Sequence, residues 1–422
     1  MKIGWAVRDI TPLIPVAMGG YGDRQGKSNG VLDSIFARAL YIEDSKRERV
    51  IFISADLIGL SKKHTCLIRD RVNKSTGVSM EHIVVSTTHT HSGPLTCEYP
   101  GMGRVDEAYV SILLEIVIEA GCESKRCLEE CKVGWFQTRF DDVGASRRES
   151  GKKVETYLTV TGFKGMDGRL RAVLFNYNCH PTVFSAENMM ISPDYPGAAV
   201  SLLKKVYGSD VLFSFTNGAC GDISTRFTRR AQNYEEVNRL GNILGAEVIK
   251  GISKMEYKEN CKLSVKAREF YLKPKDLPDD ETLESTVKEC QEKFNMLQSQ
   301  GAASGELRTA YTEVQGAVVQ KMLKQYQPLL DYGCSLTAVK IGDGVIATVP
   351  AELFSLLGSQ IINGAQFKPT AVMGYSNGEI GYVPDRDSFS QGGYEALSCR
   401  FEVGEGEKLR DMALELINEL EV

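Results

Sequence analysis

Three histidines that follow apolar runs are the residues in this sequence best suited to chemistry. His89 and His91 come shortly after the run 82–85, and His180 follows the run 170–175. In a β-strand, residues i and i+2 point to the same side, so His89 and His91 are expected to face one cleft. The pair alone indicates little, because two imidazoles can be satisfied by local hydrogen bonds. Three histidines at the ends of two strands, however, suit a zinc site.

The composition narrows the class of protein. The chain has 422 residues, of which 42% are hydrophobic and 25% charged, and its net charge is −5. These values allow a large core and give no reason to expect a nucleic-acid partner. The eleven cysteines are odd in number and form no Cys-x-x-Cys pair, which favours free thiols in a reducing compartment.

No pattern for targeting or membrane insertion is visible. The N-terminus lacks the apolar stretch of a signal peptide, and no run has the length of a membrane span. We therefore expect a cytoplasmic protein without a transmembrane segment. The sequence leaves its oligomeric state open.

The hydrophobic periodicity predicts one α/β domain over residues 1–422. Runs such as 50–56 and 345–349 predict strands, and segments such as 108–128 and 235–257 predict helices. No linker or internal repeat divides the chain. We expect a single compact domain with a mixed β-sheet and the zinc site at the strand ends.

Residues 279–332 differ from the rest of the chain. They are rich in Glu, Lys and Gln and contain few aromatic residues, and Gly301 and Gly305 divide them into two helical halves. This pattern predicts a helical hairpin inserted into the domain and lying on its surface, rather than a separate domain.

Several stretches resemble one family, the neutral/alkaline (non-lysosomal) ceramidases, and the resemblance extends along nearly the whole chain. The most specific stretch is Thr88-His89-Thr90-His91-Ser92-Gly93-Pro94. The others are Asp9-Ile10-Thr11, Met18-Gly19-Gly20-Tyr21, Ala37-Arg38-Ala39, Asn178-Cys179-His180-Pro181-Thr182, Gly221-Asp222-Ile223-Ser224, Pro350-Ala351-Glu352, Gly381-Tyr382 and Tyr394-Glu395. These ceramidases are zinc-dependent amidases that cleave the N-acyl bond of ceramide. The resemblance implies that this chain corresponds to the catalytic domain of those enzymes, holds a Zn²⁺ cofactor and acts on a small-molecule acyl substrate.

Four metal ligands are implied by the resemblance. They are His89, His180, Glu352 and Tyr382, and imidazole, carboxylate and phenolic oxygen are all acceptable to zinc. Without the resemblance, Glu352 would be interpreted as a glutamate whose negative charge is favoured by the dipole at a helix N-terminus. Tyr382 alone would be interpreted as a packing residue.

Two further residues of the implied site are aligned by position. His91 resembles the polar partner that acts beside the metal. Tyr394 follows Tyr382 by twelve residues, which agrees with the family spacing. Both are expected to be catalytic.

Two other catalytic matches are looser. Arg147 best matches an arginine near the substrate carbonyl, although the adjacent Arg148 could serve and a surface salt bridge is the alternative. Ser224 matches the serine of the family's Gly-Asp-Val-Ser-Pro-Asn stretch, but Thr225 and Arg226 replace the proline and asparagine. Ser224 could instead cap the backbone of a glycine-rich turn.

The expected activity is hydrolysis of an N-acyl amide bond by metal-activated water. The same zinc site could act as an esterase or lactonase on a small polar substrate, or the chain could be a non-catalytic metal-binding relative. Ceramidases carry a further C-terminal β-sandwich domain that is not seen in this sequence, so we expect poor activity on long-chain ceramide. Arg226, Arg229 and Arg230 would suit a polar or anionic substrate, or would form a solvated loop.

Overall fold

The computed structural model describes residues 1–99 and 102–421, and groups of strands are interspersed with helices along that part of the chain. The strands are β1 (Lys2–Asp9), β2 (Gly30–Val31), β3 (Phe36–Glu43), β4 (Arg49–Ala55), β5 (Ile83–Thr87), β6 (Glu129–Arg139), β7 (Ala145–Ser146), β8 (Tyr157–Gly165), β9 (Leu170–Tyr177), β10 (Met190–Ile191), β11 (Leu212–Asn217), β12 (Ile223–Ser224), β13 (Leu263–Tyr271), β14 (Gly333–Ile341), β15 (Gly344–Thr348), β16 (Glu352–Leu353), β17 (Thr370–Met373) and β18 (Tyr382–Val383). The helices are α1 (Lys62–Thr76), α2 (Glu107–Glu123), α3 (Asp194–Tyr207), α4 (Tyr234–Lys254), α5 (Asp280–Ser299), α6 (Ser304–Tyr326), α7 (Ser355–Gly364), α8 (Arg386–Ser390), α9 (Tyr394–Ser398) and α10 (Glu405–Asn418).

The largest sheet has eight strands in the order β11-β9-β8-β6-β1-β3-β4-β5. Its outermost pairs, β4 with β5 and β9 with β11, are parallel, and the pairs between them are antiparallel. The prediction of a mixed sheet is confirmed. A second sheet, with the order β13-β14-β15-β17, accompanies it.

Strands with two apolar faces explain why the two sheets stack. On β4, Ile51 and Ile53 lie in the core beneath α1 and α2, whereas Val50 and Phe52 alternate with them and lie in the core shared with the second sheet. This alternation follows from the two-residue period of a strand, and it makes the sequence of a doubly covered strand continuously apolar. Helices α7 and α10 cover the outer face of the second sheet. The result is a four-layer α/β/β/α domain.

The twist of the large sheet brings its two edges together. By topology, β5 and β9 run in opposite directions, but a twist of about 20–25° between neighbouring strands accumulates across the sheet. Ser54 on β4 donates a hydrogen bond to the carbonyl oxygen of Phe215 on β11 (2.6 Å). Asn217 at the end of β11 donates to the carbonyl oxygen of Thr88 (3.2 Å). The loops that follow β5 and β9 therefore meet.

Helices α5 and α6 form the hairpin expected over residues 279–332. Salt bridges connect them, including Lys293 with Glu313 (2.6 Å) and Lys321 with Glu284 (2.9 Å). One side of α6 packs against α9: a Cβ added at Gly316 would lie 3.0 Å from the Cα of Tyr394. The hairpin therefore contacts the segment that carries a predicted catalytic residue.

Membrane insertion by a helix finds no support in the described residues. No helix within residues 1–99 and 102–421 is both long and apolar enough to cross a bilayer.

Gly241→Ala should lower the free energy of unfolding by about 1–3 kcal/mol. A Cβ at Gly241 on α4 would overlap Ala198 on α3 and lie 2.6 Å from the carbonyl oxygen of Tyr195, so the two helices would have to separate. Urea denaturation measures the change. Gly245→Ala, one turn later, is the matched control, because its nearest neighbour is the flexible tip of Leu202 at 3.0 Å and helix propensity favours alanine. Equal destabilisation by both would contradict the explanation.

Candidate metal centre

Four buried donor atoms converge where the loops after β5 and β9 meet. His89 Nε2 lies 3.2 Å from His91 Nε2 and 3.4 Å from Glu352 Oε2, and His180 Nε2 lies 3.0 Å from the same Glu352 oxygen. Ligand atoms placed tetrahedrally at about 2.0–2.1 Å from a zinc ion are about 3.3 Å apart. The three histidines are thus close enough to hold one metal ion.

Backbone carbonyl groups orient two of the histidines. His89 Nδ1 lies 2.7 Å from the carbonyl oxygen of Ile58, and His180 Nδ1 lies 2.8 Å from that of Cys220. A carbonyl oxygen only accepts hydrogen bonds, so each Nδ1 carries the proton and each Nε2 presents a lone pair to the cluster. The donor set therefore fits a divalent metal ion.

His91 differs from the other two histidines. Its Nδ1 is buried and has no hydrogen-bond partner among the described residues. Its ring packs edge-on against Tyr21 at 5.1 Å, and a Cβ at Gly20 would lie 2.5 Å from its Cγ, so the glycine permits this approach. Burial, and then the nearby His89 and His180, hold its pKa well below the usual value. A neutral imidazole without a fixed tautomer is suited to proton transfer.

His89 and His91 face the same cluster for a reason other than the one predicted. Strand β5 ends at Thr87, so the two-residue period of a strand does not extend to His89 and His91. His89 instead has φ = 63°, in the left-handed region that non-glycine residues seldom occupy. Its backbone N–H donates to the carbonyl oxygen of Leu57 (2.9 Å), and Tyr375 stacks on its ring at 4.1 Å. These contacts hold the strained residue in place.

Glu352 lies among the histidines rather than at the start of a helix. Helix α7 begins at Ser355, and Asp222 caps it by accepting hydrogen bonds from the Ser355 backbone N–H (2.7 Å) and hydroxyl group (2.8 Å). The helix-terminus interpretation of Glu352 therefore does not apply. Burial alone would raise the pKa of the Glu352 carboxyl group, but His89 and His180 hold it well below its usual value.

Tyr382 lies opposite Glu352. The two residues are paired in the short parallel ladder of β16 and β18. The guanidinium carbon of Arg147 lies 5.1 Å from the centre of the Tyr382 ring, and burial raises the pKa of the phenol well above its usual value. The structure thus brings Tyr382 beside the cluster, and its role as a ligand stays a prediction.

Arg147 is a buried residue of this cluster, and the surface salt bridge considered as an alternative is wrong. Its Nε donates to Glu395 Oε1 (2.7 Å), and its Nη1 lies 3.3 Å from His180 Nε2. Burial would lower its pKa, but Tyr382 and then Glu395 raise it well above the usual value. The neighbouring Arg148 donates to the carbonyl oxygens of Ser388 and Gly392, and its Nε lies 3.8 Å from Glu395 Oε2.

Glu395 is a residue whose role sequence reasoning missed. It is the buried partner of Arg147, and the two are far apart in the chain. Its position next to Tyr394 in the family-like Tyr-Glu pair was the only available signal. Tyr394 itself has its ring centre 5.5 Å from that of Tyr382, and burial raises the pKa of Tyr394 to about 12.

Ser224 occupies a capping position. Its Oγ accepts a hydrogen bond from the backbone N–H of Arg226 (3.2 Å), and its backbone forms a parallel bridge with His180. These contacts support the turn-capping alternative and position the loop that carries His180. Participation of Ser224 in catalysis stays a prediction.

Comparison with known proteins identifies sequences to which this chain is similar. Residues 1–102 match the family described as neutral/alkaline non-lysosomal ceramidase, N-terminal, and this range includes His89 and His91. The neutral ceramidases of Drosophila pseudoobscura pseudoobscura and Drosophila melanogaster are each 24% identical to this chain, over 251 and 254 residues respectively. This chain is similar to the neutral ceramidases in sequence. In both comparisons the match covers 53% of this chain and 36% of the Drosophila protein, so it spans about a third of those relatives.

The fold of the neutral ceramidases extends over the rest of the chain. The crystal structure of neutral ceramidase from Pseudomonas aeruginosa superposes with a TM-score of 0.78 at 17% identity, covering 99% of this chain and 74% of that one. A structure described as ceramidase complexed with C2 gives a TM-score of 0.79 at 16% identity, with the same coverage. The expected α/β fold is thereby confirmed beyond the N-terminal segment.

Proposed function

We propose that this protein is a zinc-dependent hydrolase that cleaves an N-acyl amide bond of a small-molecule acyl substrate. The observation that carries the proposal is the convergence of His89, His180 and Glu352 donor atoms at the spacing of a tetrahedral zinc site. In this proposal these three residues and Tyr382 hold Zn²⁺. Residues 1–422 act as one catalytic domain that includes the hairpin 279–332.

The surrounding side chains have separable roles. Zinc, when bound, supplies a Lewis acid and lowers the pKa of water. His91 accepts a proton from the attacking water and returns it to the leaving nitrogen. It is suited to this role because its Nδ1 is not engaged by the backbone. Arg147 and the Tyr394 hydroxyl group stabilise the charge that develops on the carbonyl oxygen, and Glu395 holds Arg147 in position. Ser224 contributes by fixing the loop of His180.

A panel of acyl compounds tests the proposal. We expect the purified protein to contain about one zinc per chain and to hydrolyse short N-acyl amides, with activity lost on chelation and restored by zinc. If lactones or esters are hydrolysed and amides are not, the alternative esterase or lactonase activity at the same site replaces the proposed amidase activity. Metal binding without turnover of any compound would identify a non-catalytic relative, and absence of metal would contradict the site itself.

A further inference from the structure

Four arginines lie on segments beside the histidine cluster, and we call them the arginine rim: Arg24, Arg226, Arg229 and Arg308. Arg24 Nη1 donates to the carbonyl oxygen of His91 (2.9 Å), and Arg226 Nη1 donates to that of Arg147 (2.9 Å). The rim therefore reaches both sides of the cluster, at His91 and at Arg147.

The helical hairpin brings the fourth arginine to the same place. Arg308 lies on the first turns of α6, and a Cβ at Gly305 on that helix would lie 2.8 Å from the ring of Phe227. Phe227 sits between Arg226 and Arg229 in the chain, so the start of α6 abuts their loop. Arg308 also approaches Asp23, next to Arg24, at 3.4 Å.

The positive charge of the rim is incompletely neutralised. Within residues 1–99 and 102–421, Arg308 is the rim arginine that has a carboxylate within 4.0 Å, and Arg24, Arg226 and Arg229 form no salt bridge. Each guanidinium carries five N–H donors. Arg24 is more than nine-tenths buried, yet its Nε and Nη2 have no hydrogen-bond partner in the part of the chain that the structure describes. Such groups are costly to bury unless an acceptor meets them.

Nearby carboxylates are already engaged. Asp194 accepts hydrogen bonds from the backbone N–H groups of Val183 and Tyr195, and Glu395 is bound to Arg147. Burial lowers the pKa of Arg226 to about 10; the charges of Arg147, Arg308 and Arg229 add to this effect, and Glu395 opposes it. The rim is thus a region of excess positive charge beside the reactive cluster.

We propose that the arginine rim binds an anionic oxygen group, a carboxylate or a phosphate, on the substrate whose acyl bond is cleaved at the histidine cluster. Guanidinium groups bind both anions through paired N–H donors, and concentrated positive charge steers anions into a cleft. This inference rests on the proposed hydrolase function and adds the substrate class. It also assigns a specificity role to the hairpin through Arg308.

Matched substrates test the charge requirement. The rate of fatty-acid release is measured for N-hexanoylglycine and its neutral carboxamide, and for N-hexanoylethanolamine phosphate and N-hexanoylethanolamine. We expect kcat/KM to favour an anionic member by about tenfold or more, which corresponds to ~1.4 kcal/mol. The preferred anion distinguishes a carboxylate site from a phosphate site. Equal rates for the charged and neutral members of both pairs would overturn the proposal.

Matched variants assign the preference to the rim. Arg308→Gln and Arg226→Gln should each lower kcat/KM about tenfold for the anionic substrate and less than about threefold for its neutral analogue. Arg230→Gln is the control, since Arg230 is exposed on the same loop. Asp23→Asn removes the same ion pair as Arg308→Gln but keeps the arginine, so it should preserve the preference. Equal losses for both substrates in Arg308→Gln would indicate a structural role and overturn the proposal.

A binding measurement separates failure of this inference from failure of the hydrolase function. Calorimetry compares glutarate with its neutral diamide on the wild-type protein and on Arg308→Gln. If no acyl compound is hydrolysed but glutarate binds about tenfold more weakly to Arg308→Gln, the hydrolase function fails and the anion site stands. If glutarate and inorganic phosphate, measured in the same way, each bind the two proteins equally, the rim is not an anion site, whether or not amides are cleaved.

Discussion

Replacing His89 with alanine is expected to remove the bound metal and to reduce hydrolysis to background. His89 Nε2 lies within 3.4 Å of Glu352 Oε2, and its ring is oriented by the carbonyl oxygen of Ile58. Without this imidazole, the remaining donors cannot enclose the ion. Elemental analysis should show about one metal ion per chain in the wild type and almost none in the variant.

The backbone conformation at His89 guides the choice of further variants for this experiment. Because His89 is in the left-handed region, His89→Asn is the better second substitution, since asparagine tolerates this conformation more readily than alanine. It should also lose the metal while folding normally. His82→Ala, at the opposite end of β5, should keep both metal and activity. His91→Ala should keep the metal and lose rate; loss of metal in His91→Ala would make His91 a ligand.

Replacing Arg147 with methionine should lower kcat/KM by about 10²–10³-fold, which is typical when a donor to a developing oxyanion is removed. The variant should also be less stable, by at most about 3–5 kcal/mol, because the buried Glu395 would keep only the longer ion pair with Arg148 (3.8 Å). Steady-state kinetics and urea denaturation measure the two effects separately.

The double variant Arg147→Met/Glu395→Gln separates catalysis from stability. Removing both charges should restore much of the free energy of unfolding but none of the rate. Arg148→Met serves as the neighbouring control: Arg148 shares Glu395 at the longer distance of 3.8 Å and otherwise donates to backbone carbonyl groups, so its loss should leave kcat/KM within a few-fold of wild type. Recovery of activity in the double variant would show that Arg147 has only a structural role.

The layered fold was predictable where burial produces a local pattern of apolar residues. Strand β4 is apolar on both faces because one face meets helices and the other meets a second sheet, and a continuous apolar run reports this directly. The sequence could not reveal that the strands belong to two stacked sheets, because partners such as Phe52 and Ile346 are distant in the chain.

The candidate site was predictable in its histidines and less so in their geometry. His89 and His180 follow apolar strands, which is a local signal, but the left-handed backbone at His89 is not encoded by any pattern of residue types. Glu352 and Tyr382 pair over a ladder of two residues, too short to leave a periodicity. The Arg147–Glu395 pair depends on a long-range contact between the segment after β7 and helix α9, so its burial required the structure.

The donors of the metal centre come from different layers of the domain, with consequences for how the protein is made. His89 and His180 follow strands of the first sheet, whereas Glu352 comes after β15 of the second. A nascent chain that has emerged only as far as the first sheet presents the three imidazoles of the cluster but lacks the Glu352 carboxylate. If the proposed donor set binds an ion, the site is complete only after the C-terminal layers have been synthesised, and the ion would then join the early and late parts of the chain.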